Sequence, residues 1–199
     1  MKPKFEKSEN ETKSENTNIT FDLSELETIE DTVKSENLKF QCIPAILFWQ
    51  WENNIKCQIS PQSVGNIFKS NFIHYSESLG LAEKLGNKKL DIKIDEIPSS
   101  FVYANKSYII IFIVGYSLYQ LEAIYPNKQD IVLQYKFQEN GQDDISEEIR
   151  IENKDISMKN IWSTTGRFTQ NYVEQFNNNI KKSAIEAIQI ILNKIDNTD

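Results

Sequence analysis

Apolar and polar positions divide this chain into segments of clear period. The longest uninterrupted apolar run is Tyr108-Ile109-Ile110-Ile111-Phe112-Ile113-Val114. A half-solvated strand alternates with period two, whereas a strand covered on both faces does not. The run's β-branched and aromatic content favours strand over helix. Residues 107–116 are therefore expected to form a central strand covered on both sides. Leu90–Ile97 does alternate, placing Leu90, Ile92 and Ile94 opposite Asp91, Lys93 and Asp95, as a half-buried strand should.

Residues 40–51 read as a strand with Pro44 at an edge or bulge, because proline cannot donate to a ladder. Glu52-Asn53-Asn54 reads as a turn into a second short strand, Ile55–Ile59, and Ala104-Asn105-Lys106 as a turn ahead of the central strand. Residues 118–124 continue that central strand or start another, and further strands are expected at 131–137 and 147–152, with Asn140-Gly141 marking a hairpin. Two stretches carry helical spacing. Ser60 can cap and Pro61 suits the first turn of a helix over 61–79, whose apolar face includes Val64, Ile67, Phe68, Phe72 and Tyr75 and whose stop is Gly80. A second helix over 168–195, capped by Thr169, presents Phe176, Ile180, Ala184, Ala187, Ile188, Ile191 and Ile195. Helix, meander, helix predicts an α+β fold: two layers, with an antiparallel sheet of about four to six strands under the helices at 61–79 and 168–195.

The first 20 residues are nearly devoid of apolar side chains and are expected to be disordered. Leu23, Leu26, Ile29 and Val33 suggest a short helix over 22–33. Residues 1–37 thus read as an acidic tether, and 38–199 as a single domain. Of the net charge of −7, the first 40 residues supply −4. No basic stripe is present to release counterions from phosphates, which argues against nucleic-acid binding. No segment approaches transmembrane length, and the start, Met1-Lys2-Pro3-Lys4-Phe5-Glu6, carries no apolar signal-peptide core.

Candidate chemistry is sparse. His74 is the only histidine and lies at the solvent boundary of the first helix, so a catalytic triad or a zinc site has too few partners. No nucleotide-binding or metalloprotease motif occurs, so catalytic, cofactor and metal residues are all read as none. Ser163-Thr164-Thr165-Gly166-Arg167, just ahead of the last helix, offers hydroxyls, amides and a cation to an anion or partner, or else caps and turns the chain. Trp49 and Trp51 share a strand face, as an aromatic platform or as core. Cys42 and Cys57 are a candidate disulfide, provided that Pro44 bends the first strand back to bring them together.

The order of elements (two strands, helix, antiparallel meander, long C-terminal helix) resembles that of the auxiliary lipoproteins of envelope transport systems. These include the outer-membrane lipoprotein of lipopolysaccharide assembly and the auxiliary components of ABC-type transport. The resemblance covers residues 40–195 in outline, and a polar stretch ahead of the domain fits it. The chain departs from it in lacking a signal and a lipobox cysteine. It implies a non-enzymatic envelope protein working through protein or lipid contacts, periplasmic or outer-membrane-associated if a signal peptide has been removed. The alternative is a soluble cytoplasmic acidic binding protein of the immunity type.

Overall fold

The computed structural model describes residues 18–29, 34–44, 47–126, 130–139, 142–143, 146–152, 157–159 and 162–198. Among these, ten strands and three helices form an α+β fold, with the sheet divided in two. The first sheet comprises β1 (Ile19–Asp22), β4 (Lys89–Glu96), β7 (Asp130–Glu139), β8 (Gln142–Asp143) and β9 (Glu147–Glu152). β4 pairs in parallel with β1 and antiparallel with β7, which also pairs with β8 and β9. The alternation of β4 holds: Leu90, Ile92 and Ile94 are buried while Asp91, Lys93 and Asp95 face outward. Ile131, Leu133 and Tyr135 of β7 and Ile149 and Ile151 of β9 join them in one core.

Helices close that core. α1 (Pro61–Ser78) begins where Ser60 accepts a hydrogen bond from the Ser63 amide, with Pro61 in the first turn. It buries Val64, Phe68 and Phe72 and ends before Gly80, whose φ of 76° is readily adopted only by glycine. The short α2 (Leu81–Leu85) adds Leu81 and Leu85 to the core. α3 (Thr165–Thr198) has 34 residues, about 50 Å at the helical rise. It starts earlier than its spacing suggests because Thr164, not Thr169, supplies the cap: the Thr164 hydroxyl accepts from the Arg167 amide. The Thr169 hydroxyl instead donates to the Thr165 carbonyl within the helix.

The second sheet has the order β10 (Ser157–Met158), β6 (Gly115–Pro126), β5 (Ser100–Phe112), β3 (Phe48–Gln58), β2 (Lys34–Pro44), antiparallel throughout. Its strands are far longer than expected. Glu52-Asn53-Asn54 is not a turn, since Asn53 lies mid-strand opposite both Phe40 and Asn105. Nor is Ala104-Asn105-Lys106, which runs through β5. The apolar run 107–116 is not one central strand either. It forms the end of β5, a two-residue turn at Ile113-Val114 and the start of β6, with Phe112 paired to Gly115. Only the inner half of this sheet is buried, at Phe101, Val102, Ala123 and Ile124; the outer half projects, exposed on one face and at the tip and half-buried on the other at Phe48, Tyr108 and Ile110.

The boundary between tether and domain also moves. β1 belongs to the first sheet, and Ile19, Leu26 and Ile29 are buried. The segment after β1 is a turn rather than the start of a helix over 22–33. Its anchor is close packing, because Leu26 lies against Gly65 of α1, where an added Cβ would force the leucine side chain to shift. Lys34–Asn37 begin β2, so the domain extends into the supposed tether at two places. Residues 1–17, whose disorder the sequence suggests, lie outside the described residues, as do Asn140-Gly141.

Candidate interaction surface

Partners in adjacent antiparallel strands share a face, so the register assigns every side chain of the projecting sheet. One face carries Cys42 and Pro44 of β2, Trp51 and Trp49 of β3, Ile109 and Ile111 of β5, and Leu118 and Tyr116 of β6. The other carries Ile43, Phe48, Tyr108, Ile110 and Tyr119. On this second face the Tyr108 and Tyr119 rings stack at 4.8 Å, and Phe48 tilts against Tyr108 at 6.5 Å. The tip is barer still: Ile113 is 106% exposed, Val114 97% and Tyr116 75%. Leu47 stands beside it, its carbonyl accepting from the Ile111 amide.

Charge is excluded from this region. Phe40–Trp51 and Ser107–Leu121 contain no Asp, Glu, Lys, Arg or His. The first charges lie one row further in, where Glu52 faces Lys106 across the ladder and pairs with Lys39 at 2.8 Å. Contiguous exposed apolar patches of more than a few hundred Å² are uncommon on soluble proteins.

The exposed Trp49 face continues inward to a polar cluster that fixes the sheet to α3. Glu122 of β6, 5% exposed, accepts from Tyr103 Oη (2.9 Å), Gln120 Nε2 (3.0 Å) and Thr165 Oγ1 (2.9 Å), and pairs with Lys159. Burial pushes the Glu122 carboxyl up, but the hydrogen bonds from Lys159, Thr165 and Tyr103 outweigh it and hold the group below its ordinary value. Burial and the neighbouring carboxylate push the Tyr103 hydroxyl up. Beside the cluster, Phe101 packs on Tyr172 of α3 at 5.5 Å. Each member is engaged by another, so the arrangement clamps the base of the sheet.

This clamp answers the anion reading of Ser163, Thr164, Thr165 and Arg167. Thr164 caps the helix, Thr165 donates to Glu122, and Ser163 donates to the Thr164 carbonyl (3.3 Å). The anion near this helix N-terminus is the chain's own carboxylate, favourably placed against the helix dipole. Arg167 is exposed. Cys42 and Cys57 are both free. Cys42 pairs with Trp51, while Cys57 lies six positions further along β3, opposite Ser35. That separates them by about 20 Å, well beyond the reach of a disulfide. Trp49 and Trp51 share a face and stand exposed. His74 is exposed, its ring edge-on to Tyr75.

Chemistry elsewhere is muted. A groove of about 450 Å³ on the polar face of the first sheet is lined by Thr20, Asp91, Lys93, Gln134 and Lys136 among others. The Thr20 hydroxyl donates to Asp91, and Lys93 pairs with Glu25 (3.2 Å) and Asp95 (3.4 Å). Among the described residues no group of three or more His, Cys, Asp or Glu is arranged to hold a metal ion. Among the described residues no helix is long and apolar enough to cross a membrane, which leaves strands unaddressed. Comparison with protein-family models, curated proteins and solved structures finds no match to this chain. The projecting sheet is thus the feature that most needs a functional explanation. The sequence signalled it through the Trp49–Trp51 pair, while Ile113 and Val114 were concealed as core.

Proposed function

We propose that this chain is a non-enzymatic, envelope-associated protein whose working surface is the outer half of the second sheet, acting through protein or lipid contacts. The observation that carries this reading is a charge-free apolar sheet with its Trp49 face and tip exposed and its other face only half-buried. Leaving that much apolar area in water costs free energy roughly in proportion to its size, about 25 cal/mol per Å². A partner that covers it recovers that energy. Envelope placement rests on the resemblance in element order and on the polar stretch ahead of β1. The clamp at Glu122 suits such a role, because it holds the sheet rigidly while its end stays free.

A photoreactive residue at position 113, compared with one at Glu148 on the polar face of the first sheet, tests the proposal in the native host. Irradiation is expected to yield adducts, to protein or to lipid, from position 113 and few from position 148. Equal yields from the two positions would overturn it.

A further inference from the structure

We infer that the occupant of the projecting sheet is the outer layer of a lipid bilayer, entered tip first. This rests on the contact-surface reading above and names its partner.

Three observations separate a bilayer from a protein partner. First, apolar side chains line both faces and the turn. A protein docks on one face, whereas acyl chains surround an inserted wedge. Second, each face is small. The charge-free ends of the four strands run four to seven residues each, which at about 4.8 Å between strands and about 3.3 Å per residue gives roughly 350 Å² of sheet per face. A stable protein interface needs about 800 Å² from each partner, so face-to-face pairing with a second copy falls short.

Third, side-chain chemistry is zoned along the sheet as it is across a membrane interface. The outermost row holds Phe112, Ile113, Val114 and Gly115. Three rows in, about 10 Å at the strand rise, lie Trp49, Ile109 and Leu118, with Tyr108 and Tyr119 in the next row. Trp and Tyr favour that depth because their rings are amphipathic. Glu52 and Lys106 follow in the first charged row, and Lys39, two rows further in, reaches back to pair with Glu52. Insertion to about 10 Å, the depth reached by interfacial elements, buries the tip, places the aromatic rings among the headgroups and leaves every charge in water.

Unpaired edge groups are the cost of inserting an open sheet. Here only the last few rows enter, and β2 ends at Pro44, which has no N–H to leave unsatisfied. The chain's net charge of −7 disfavours attraction to anionic lipid. Hydrophobic entry is therefore the mode, and zwitterionic lipid suffices.

Flotation of the full chain with phosphatidylcholine vesicles tests this directly. The wild type is expected to float with the vesicles, with little effect of added salt. In a Trp162→Phe background, which leaves Trp49 and Trp51 as reporters, lipids brominated near the carbonyl end of the acyl chain should quench emission more than those brominated near the methyl end. Ile113→Asp with Val114→Asp should weaken vesicle binding at least about tenfold, given the cost of placing carboxylates in lipid, with the melting temperature within about 4 °C of the wild type. Absence of flotation, binding unaffected by the two substitutions, or quenching independent of bromine position would each overturn the inference. If flotation fails but position 113 still yields protein adducts in cells, the contact surface stands and the bilayer falls. If position 113 yields no adducts of either kind, both fall.

Discussion

Two aspartates at the tip separate an exposed apolar run from a buried one. Ile113 and Val114 are 106% and 97% exposed, so folding removes essentially none of their surface from water. The hydrophobic term lost in Ile113→Asp and Val114→Asp is therefore close to zero. New charge at fully solvated positions also incurs no desolvation penalty. Surface changes of this kind fall within about 0.5 kcal/mol each. For a chain of this size that moves the melting temperature by no more than about 2–4 °C for the pair. Ile92, 1% exposed at the centre of the first sheet, provides the control. Ile92→Asp buries a carboxylate in apolar surroundings and should prevent folding. Thermal unfolding followed by circular dichroism, repeated in urea to compare slopes, measures both. Loss of more than about 2 kcal/mol in the tip variant, or a folded Ile92→Asp protein, would refute this division between core and projecting sheet.

Glu122→Gln leaves the partly buried Lys159 without its counter-charge and should cost about 2–3 kcal/mol in chemical denaturation. Because the Glu122 carboxyl is held below its ordinary value of 4.5, its contribution is full above that pH and is lost as pH falls through the lower folded value. The acid limb of the wild-type stability curve should accordingly be shallower in Glu122→Gln. Thr164→Ala removes the α3 cap and should cost about 1 kcal/mol, whereas Thr169→Ala should cost less; the reverse order would place the helix start where its spacing suggests. Thiol titration of denatured, unreduced protein should find both Cys42 and Cys57 free, and a missing pair would contradict the straight β3.

Local signals were read well where chemistry acts over a few residues. Ser60, Pro61 and Gly80 delimit α1 closely, and the period of two in β4 identifies the face that meets the core. β1 was illegible because its pairing with β4 is parallel and joins positions some 70 residues apart, with no local mark in Ile19-Thr20-Phe21-Asp22. Glu52-Asn53-Asn54 looked like a turn from its composition, but pairing on both sides of β3 holds it extended, an override by tertiary context. Tyr108–Val114 misled for a deeper reason. Absence of alternation says that neither face prefers water, and that is equally true of a strand in a core and of one awaiting an apolar partner. The turn itself, Ile113-Val114, contains none of the Gly, Asn or Asp that usually announce a hairpin.

The most direct test uses methyl signals of the full chain and two paramagnetic probes. In lipid-free protein, a water-soluble gadolinium chelate should broaden the methyls of Ile109, Ile111, Ile113, Val114 and Leu118, while those of Leu90, Ile92 and Leu133 stay sharp. In phosphatidylcholine nanodiscs the tip methyls should become protected from the chelate and be broadened instead by a spin label on the acyl chain, with the core methyls unchanged. Tip methyls already sharp in lipid-free protein, or untouched by the lipid-borne label, would contradict a projecting sheet that works by entering the bilayer.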